Sequence, residues 1–312
     1  VVNFLTVLLR LCYLPCGEWK SLSVTHSFAR RRQTVSGTGG RLDYFSISAV
    51  RLTLRLLEPA VLPPFLGATL RGAFGYAFKG CVCTRRAVVC AECLVRASCP
   101  YRYVFESPLP DGAAMMRLYP NVPHPFVIEP PLGQPARLAV GADIEFSLVL
   151  IGRGTDYLPY FVLAFQELGK AGIGARRVKF ALIRVVDKSP AGAEALLFDS
   201  SHNRLATAQR FVPDMSKPLG TNGTVTVVLD TPARLKSEGH YVSDLPFHVL
   251  VRNLLRRLSA LSSFHCGHEL QADFGGLIRK AEQVSTKRTE IRWEEFERYS
   301  TRQKQRMRMG GV

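Results

Sequence analysis

Five cysteines fall within nineteen residues: Cys81, Cys83, Cys90, Cys93 and Cys99. Cys90 and Cys93 have two residues between them, a spacing that lets two thiolates grip one ion. Cys83 and Cys99 flank that pair at six and five intervening residues. Four thiolates can close a tetrahedral zinc site, and the ion then supplies folding energy to a loop that has no core. The same four can carry an iron–sulfur cluster, and disulfides or free thiols are the remaining readings. Disulfides have less behind them, because nothing else marks the chain as secreted. The expectation is a structural metal at Cys83, Cys90, Cys93 and Cys99, zinc first and an iron–sulfur cluster as the alternative, with Cys81 spare. A closed four-thiolate site leaves no open position for metal catalysis.

Basic side chains are the second resource. Gly172-Ile173-Gly174-Ala175-Arg176-Arg177 is a glycine-rich turn with two guanidinium groups. It can present N–H groups and charge to a phosphate, or simply cap a helix on its way into a strand. Arg298, Arg302, Lys304, Arg306 and Arg308 occur with no acid among them, and Trp293 and Tyr299 offer stacking faces for unpaired bases. The bland alternative is a frayed basic tail. Of seven histidines none forms a metalloprotease or nucleophile pair. His124 stands out because Pro123 and Pro125 fix the backbone on both sides of it. There is no P-loop, and Gly169, Gly172 and Gly174 do not match a dinucleotide fingerprint.

The whole chain carries the same bias. Its 312 residues (34.7 kDa) hold 41 Lys and Arg against 25 Asp and Glu, a net charge of +16. An excess of that size costs self-repulsion and points to a polyanionic partner. Nucleic acid comes first and an anionic membrane surface second. Residues 1–40 and 285–312 contribute +4 each, so +8 lies in the body of the chain and a folded basic surface is expected. At 47% hydrophobic and 21% charged residues, wholesale disorder is excluded. The most apolar run, Val1 to Leu14, is broken by Arg10 and is too short to span a bilayer. A cytoplasmic protein without membrane partners is expected.

The elements that must position these groups follow from periodicity. Tyr44 to Leu57 alternates as a strand, and Phe65 to Lys79 reads as a helix with Leu66, Leu70, Phe74 and Phe78 on one side. Tyr101 to Phe105, Pro125 to Glu129 and Ala142 to Ile151 read as strands, the first two around a loop with Asp111–Gly112. A helix from Leu158 to Leu168 is expected, with Asp156 as its cap. Arg177 to Val186 and Thr224 to Leu229 read as further strands, with Asn222–Gly223 as a turn. Phe247 to Phe264 reads as an amphipathic helix whose Arg252, Arg256 and Arg257 lie off the apolar stripe, and Phe274 to Val284 as a shorter one. The fold class is α+β.

Several motifs, in this order, resemble one known family. They are Leu70-Arg71-Gly72-Ala73-Phe74-Gly75; the cysteine loop from Cys83 to Cys99-Pro100-Tyr101; His124-Pro125-Phe126-Val127-Ile128-Glu129-Pro130-Pro131; Leu229-Asp230-Thr231-Pro232-Ala233-Arg234-Leu235-Lys236; Leu254-Leu255-Arg256-Arg257-Leu258-Ser259; and Arg298-Tyr299-Ser300 with Arg302-Gln303. From about Tyr44 onward the chain looks like the CRISPR-associated endoribonucleases of the Cas-six family, in the RAMP superfamily. The resemblance implies two tandem ferredoxin-like domains, 42–172 with a cysteine-rich insert at 81–101, and 173–312 stopping before the family's last strand. Residues 1–41 are expected outside the fold. It implies cutting of precursor CRISPR RNA at its repeats without metal, by 2′-OH attack that leaves a 2′,3′-cyclic phosphate. A non-cutting RNA-binding subunit working beside other CRISPR effector proteins is the alternative. Where the family often carries His in its first helix this chain has Tyr76, whose ordinary pKa near 10 makes it a weak base. Tyr76 is therefore expected to orient the 2′-OH and His124 to act as acid or base. Arg176, Arg177, Arg256, Arg257, Arg298, Arg302 and Lys304 are expected to bind RNA.

Overall fold

The computed structural model describes residues 22–27, 43–63, 66–110, 121–133, 136–190, 194–213, 224–231, 233–300 and 305–312. Of strand Leu22–Ser27, and of Glu294, 296–300 and 305–309, the backbone alone is described. Phe65, Asp111–Gly112, Asn222–Gly223, Arg302 and Lys304 lie outside the described residues. The chain is α+β, and it forms two compact units. One comprises 45–211 with 260–267; the other comprises 1–44, 212–259 and 268–312.

The first unit is built on a six-stranded sheet in which every neighbouring pair is antiparallel. Strand Ile47–Leu56 lies in its middle, between Asp143–Ile151 and Phe180–Asp187. Phe126–Glu129 pairs outside Asp143–Ile151, while Ala195–Asp199 and Arg204–Leu205 continue the other edge. The helices Gly67–Val82 and Leu158–Ala171 belong to the same core. Over Ile47–Asp187 the strands of this sheet and the two α-helices follow in the order strand, helix, strand, strand, helix, strand, with the short pair Ala60–Val61 and Arg137–Leu138 forming a separate ribbon.

The helix stripe read from the sequence is the core. Leu66, Leu70, Phe74 and Phe78 are fully buried. Phe74 stacks on Phe161 and Phe165, with ring centroids 4.8 Å apart in both pairs, and meets Phe126 edge-on. Truncating one such buried ring costs about 3–5 kcal/mol. Gly72, Gly75 and Gly80 tolerate their place in the first helix because of this packing; Gly75 lets the Phe105 ring come within 3.0 Å of where a Cβ would stand.

Three expectations change. Tyr101 to Phe105 is not a strand: Arg102–Glu106 is a π-helical turn, and the Tyr101 ring stacks on Phe105 four residues on. Asp156 does not cap the helix from Leu158; it pairs with Arg210, and the 3-10 turn Gly152–Tyr157 leads into the helix instead. The chain does not divide between 172 and 173. Phe180–Asp187 hydrogen-bonds along Ile47–Leu56 and belongs to the first unit, whose long stretch ends at 211.

Helix Phe247–Leu261, which belongs to the second unit up to residue 259, buries Phe247, Val251, Leu254, Leu258 and Leu261 and leaves Arg252 and Arg256 exposed. Helix Phe274–Glu282 is capped by the Asp273 carboxylate, which accepts the Gly276 N–H at 2.8 Å. The basic C-terminal segment is a hairpin, Glu294–Ser300 against Gln305–Gly311, in register Arg298↔Met307 and Glu297↔Arg308. Val312 exchanges two backbone hydrogen bonds with Ala233.

The expectation that residues 1–41 lie outside the fold fails at Leu22–Ser27. That strand is the middle of a three-stranded sheet, antiparallel to Thr224–Leu229 on one side and Ser285–Glu290 on the other. Both neighbours depend on it for ladder hydrogen bonds. Deleting residues 1–41 should therefore speed amide exchange in Thr224–Leu229 and Ser285–Glu290 while leaving Ile47–Leu56 protected. Unchanged exchange in those two strands would show that the middle strand is dispensable.

Candidate functional site

Tyr103, Ser107, Pro123, His124 and His265 are joined in a closed circuit of hydrogen bonds. His265, 2% exposed, places Nε2 2.7 Å from the carbonyl oxygen of Pro123. A carbonyl only accepts, so Nε2 carries the proton. Nδ1 of the neutral ring must then accept, and it lies 3.0 Å from the Tyr103 hydroxyl, which donates to it. The Ser107 hydroxyl donates to the Tyr103 carbonyl at 2.8 Å. Its single proton is thereby used, so the 3.3 Å contact between Ser107 Oγ and His124 Nδ1 is an N–H of His124 donating to Ser107. The proton of neutral His124 then sits on Nδ1, and Nε2 carries the ring's lone pair.

Each member is positioned by local structure. Ser107 ends the π-helical turn in a left-handed conformation, φ 35°, with its N–H on the Arg102 carbonyl at 2.7 Å. His265 belongs to a second π-helical turn, Ser262–Cys266, which continues helix Phe247–Leu261. Gly152 makes room for it: a Cβ there would stand 2.1 Å from the His265 carbonyl oxygen, and its φ is +52°. The Tyr103 ring stacks on Tyr157 at 4.9 Å, and the Arg153 guanidinium lies over it at 5.4 Å. Burial pushes the Tyr103 phenol well above its ordinary range. Burial also lifts the neighbouring Cys266 thiol to about 11.

A cleft of about 210 Å³ opens beside this circuit, lined by Arg96, Arg102, Arg153, Tyr103, Ser107 and His265 among others. No carboxylate stands among the described residues of its wall. Three guanidinium groups around a small cleft favour an anion of phosphate size.

His124 is half-buried beside this cleft through Ser107. Tyr76 is 79% exposed and lines a different, larger opening of about 480 Å³ with Cys81, Arg86, Leu163 and Glu167. The two are not placed in one cavity. Arg176 and Arg177 are exposed on the glycine turn, where Gly172 (φ +86°) would clash with the Arg177 carbonyl if it carried a Cβ. Both belong to the first unit. Arg256 is exposed and donates to Asn253 Oδ1 at 2.9 Å; Arg257 is half-buried; both, like Arg298 in its hairpin strand, belong to the second unit. The Trp293 ring, read as a stacking face, covers Gly310, whose Cβ would stand 2.5 Å from it.

Cys83 caps the first helix, Cys90 opens the 3-10 turn Cys90–Glu92, Cys93 ends it, and Cys99 precedes the π-helical turn. All four are half-buried, and none is in a disulfide. Burial raises the Cys90 thiol, and nearby Glu106, Cys99 and Cys83 raise it further, against a lowering by Lys79. Among the described residues, no three His, Cys, Asp or Glu side chains gather closely enough to hold an ion. No helix among the described residues is long and apolar enough to cross a membrane.

A family model, AF_1859_N, an N-terminal domain, matches residues 45–210. The chain belongs to this family. The match covers nearly the same span as the long stretch of the first unit, 45–211. The cleft and most of its hydrogen-bond circuit therefore lie inside the AF_1859_N domain, while His265 comes from outside the matched span. A protein of Archaeoglobus fulgidus described as uncharacterized is 26% identical over 233 residues, covering 72% of this chain and 76% of that relative.

The site residues missed by sequence reasoning are Arg96, Arg102, Arg153, Tyr103, Ser107 and His265. They come from three separate stretches, and only the doubled prolines around His124 gave a local signal.

Gly152→Ala should destabilise the protein by about 1–3 kcal/mol from backbone strain alone, and more as His265 is displaced. An unchanged unfolding midpoint would refute the close approach. Tyr103 and Cys266 hold their protons more tightly folded than unfolded. Their contribution to stability is whole below the ordinary thiol range near pH 8.5 and is lost as pH rises through the folded values. Thermal unfolding should therefore fall from about pH 9 upward, and Cys266→Ala should flatten the first part of that fall. A midpoint constant to pH 11 would contradict it.

Proposed function

We propose that the protein binds single-stranded RNA and cuts it, as an endoribonuclease of the precursor-CRISPR-RNA type that its motifs resemble. The observation that carries this reading is the arginine-lined cleft beside His124. The net charge of +16 supports a polyanionic partner. The architecture proposed is a tandem of ferredoxin-like domains. The strand order of the first unit, with Ile47–Leu56 between Asp143–Ile151 and Phe180–Asp187 and Phe126–Glu129 outside, supports that reading for the first of them.

A phosphodiester sits among Arg96, Arg102 and Arg153. The 2′-OH of the preceding nucleotide attacks phosphorus, its proton passing to Nε2 of His124. The bond from phosphorus to O2′ forms and the bond to the 5′ oxygen breaks. The leaving oxygen takes a proton from solvent, and the guanidinium groups offset charge on the phosphorane. The products are a 2′,3′-cyclic phosphate and a 5′-OH. Tyr76, expected to orient the 2′-OH, lines a separate opening. Arg176 and Arg177 of the first unit are further RNA-binding candidates, as are Arg256, Arg257, Arg298, Arg302 and Lys304 in the rest of the chain. The protein acts in the cytoplasm beside other CRISPR effector proteins. The separation of Tyr76 from His124 favours one second reading, an RNA-binding subunit that does not cut.

Labelled repeat RNA, the same RNA with a 2′-deoxy nucleotide at the cut, and duplex DNA are incubated with the protein in EDTA. Cleavage of the first alone supports the nuclease reading. Binding without cleavage supports the subunit reading, and preference for duplex DNA overturns both. His124→Ala should lower the single-turnover rate by at least about tenfold. Arg102→Ala and Arg153→Ala should each weaken binding and reduce the salt dependence by about 0.7 per contact. Unchanged affinity in both arginine variants would remove the cleft from the RNA path.

A further inference from the structure

We propose that one Zn²⁺ held by Cys83, Cys90, Cys93 and Cys99 folds the loop that supplies Arg96 and Arg102, so that the anion cleft forms only in the metal-loaded protein. The effect on the cleft rests on the phosphate reading above; metal binding does not.

The loop inverts ordinary burial. From Thr84 to Ser98 no residue is buried. Leu94 is 83% exposed, Val89 62% and Val95 48%. Cys90 and Cys93 are half-buried in the same stretch, as are Cys83 and Cys99 at its ends. A loop that leaves Val89, Leu94 and Val95 in water while its thiols are half-buried is not folded by the hydrophobic effect alone. Ordering the backbone costs about 1–2 kcal/mol per residue. Against that stand short local bonds: Val88 N–H to Arg85, Glu92 N–H to Val89, Arg96 N–H to Cys93, and the Arg86 guanidinium to the Gly80 carbonyl. A shared ion is the cross-link such a loop needs.

No three of the thiols stand at ligand distance in this structure, but all four are carried on one short loop, Cys83 at the end of helix Gly67–Val82 and Cys99 just before the π-helical turn. Cys90 and Cys93 bracket one 3-10 turn. Coordination at about 2.3 Å per Zn–S bond draws the four together and releases their thiol protons. The contraction reaches the cleft directly, because Cys99 lies in its wall between Arg96 and Arg102. In the Arg96 and Cys93 backbone bond the metal knuckle and the first cleft arginine share one turn.

The test uses the full chain. Elemental analysis should find one zinc per protein. Exchange of zinc for Co²⁺ should give thiolate-to-cobalt charge-transfer absorption and tetrahedral d–d bands, lost in Cys90→Ser and in Cys93→Ser. Chelation followed by zinc re-addition on the unmodified protein guards against variants that misfold. It should reversibly speed and slow amide exchange at 84–98, and reversibly weaken binding of a ten-nucleotide oligouridylate by about tenfold or more. Absence of both bound metal and the cobalt bands overturns the site. Iron with acid-labile sulfide in its place overturns zinc. Bound zinc with oligouridylate affinity unchanged by chelation, or with no oligouridylate binding at all, leaves the metal and overturns its coupling to the cleft.

Discussion

The protonation of one buried imidazole fixes the rest of the candidate site. Because the Pro123 carbonyl can only accept, His265 must carry its proton on Nε2. That choice makes Tyr103 a donor and keeps the phenol protonated, which its burial also favours. The Tyr103 carbonyl takes the Ser107 proton, and Ser107 in turn fixes the His124 tautomer. A set of bonds worth about 1 kcal/mol each thus sets which nitrogen of His124 is basic. The covalent link between Pro123 and His124 closes the circuit, so no member can turn without breaking a bond on each side.

Much of the scaffold was readable as pattern. Leu66, Leu70, Phe74 and Phe78 recur at helical spacing, and all four are fully buried. The stripe from Phe247 to Leu261 is buried and its arginines fall off it, as amphipathic periodicity requires. Tyr101 to Phe105 shows where pattern fails. Five residues with every second one aromatic suit a strand, but the same spacing puts Tyr101 and Phe105 one helical turn apart, and there they stack. A window that short cannot separate the two periods. The charge-dense C-terminal segment was read by composition, and composition is silent on strand pairing. The hairpin places Glu297 opposite Arg308.

The cleft was not legible because it is assembled from segments far apart in the chain. Arg96 and Arg102 come from the cysteine loop and its exit, Arg153 from the turn after Asp143–Ile151, and His265 from the end of a helix more than a hundred residues later. No local period links them. Gly152 carries the best retrospective signal, since a glycine directly after a nine-residue strand demands either a turn or a close approach, and here it serves both.

The way the chain weaves between its units orders its synthesis in time. Most of the larger unit, 45–211, is contiguous and can collapse as soon as it leaves the ribosome. Strand Leu22–Ser27 emerges first yet must wait for partners about 200 and about 260 residues downstream. Closing so long a loop is slow, and an unpaired strand meanwhile is open to wrong partners. The larger unit has its own late visitor, because residues 260–267 bring His265. Until they arrive, Tyr103 has no buried imidazole to bond and Pro123 no donor. A nascent chain released before that point would hold a packed core around Phe74 and an unassembled site.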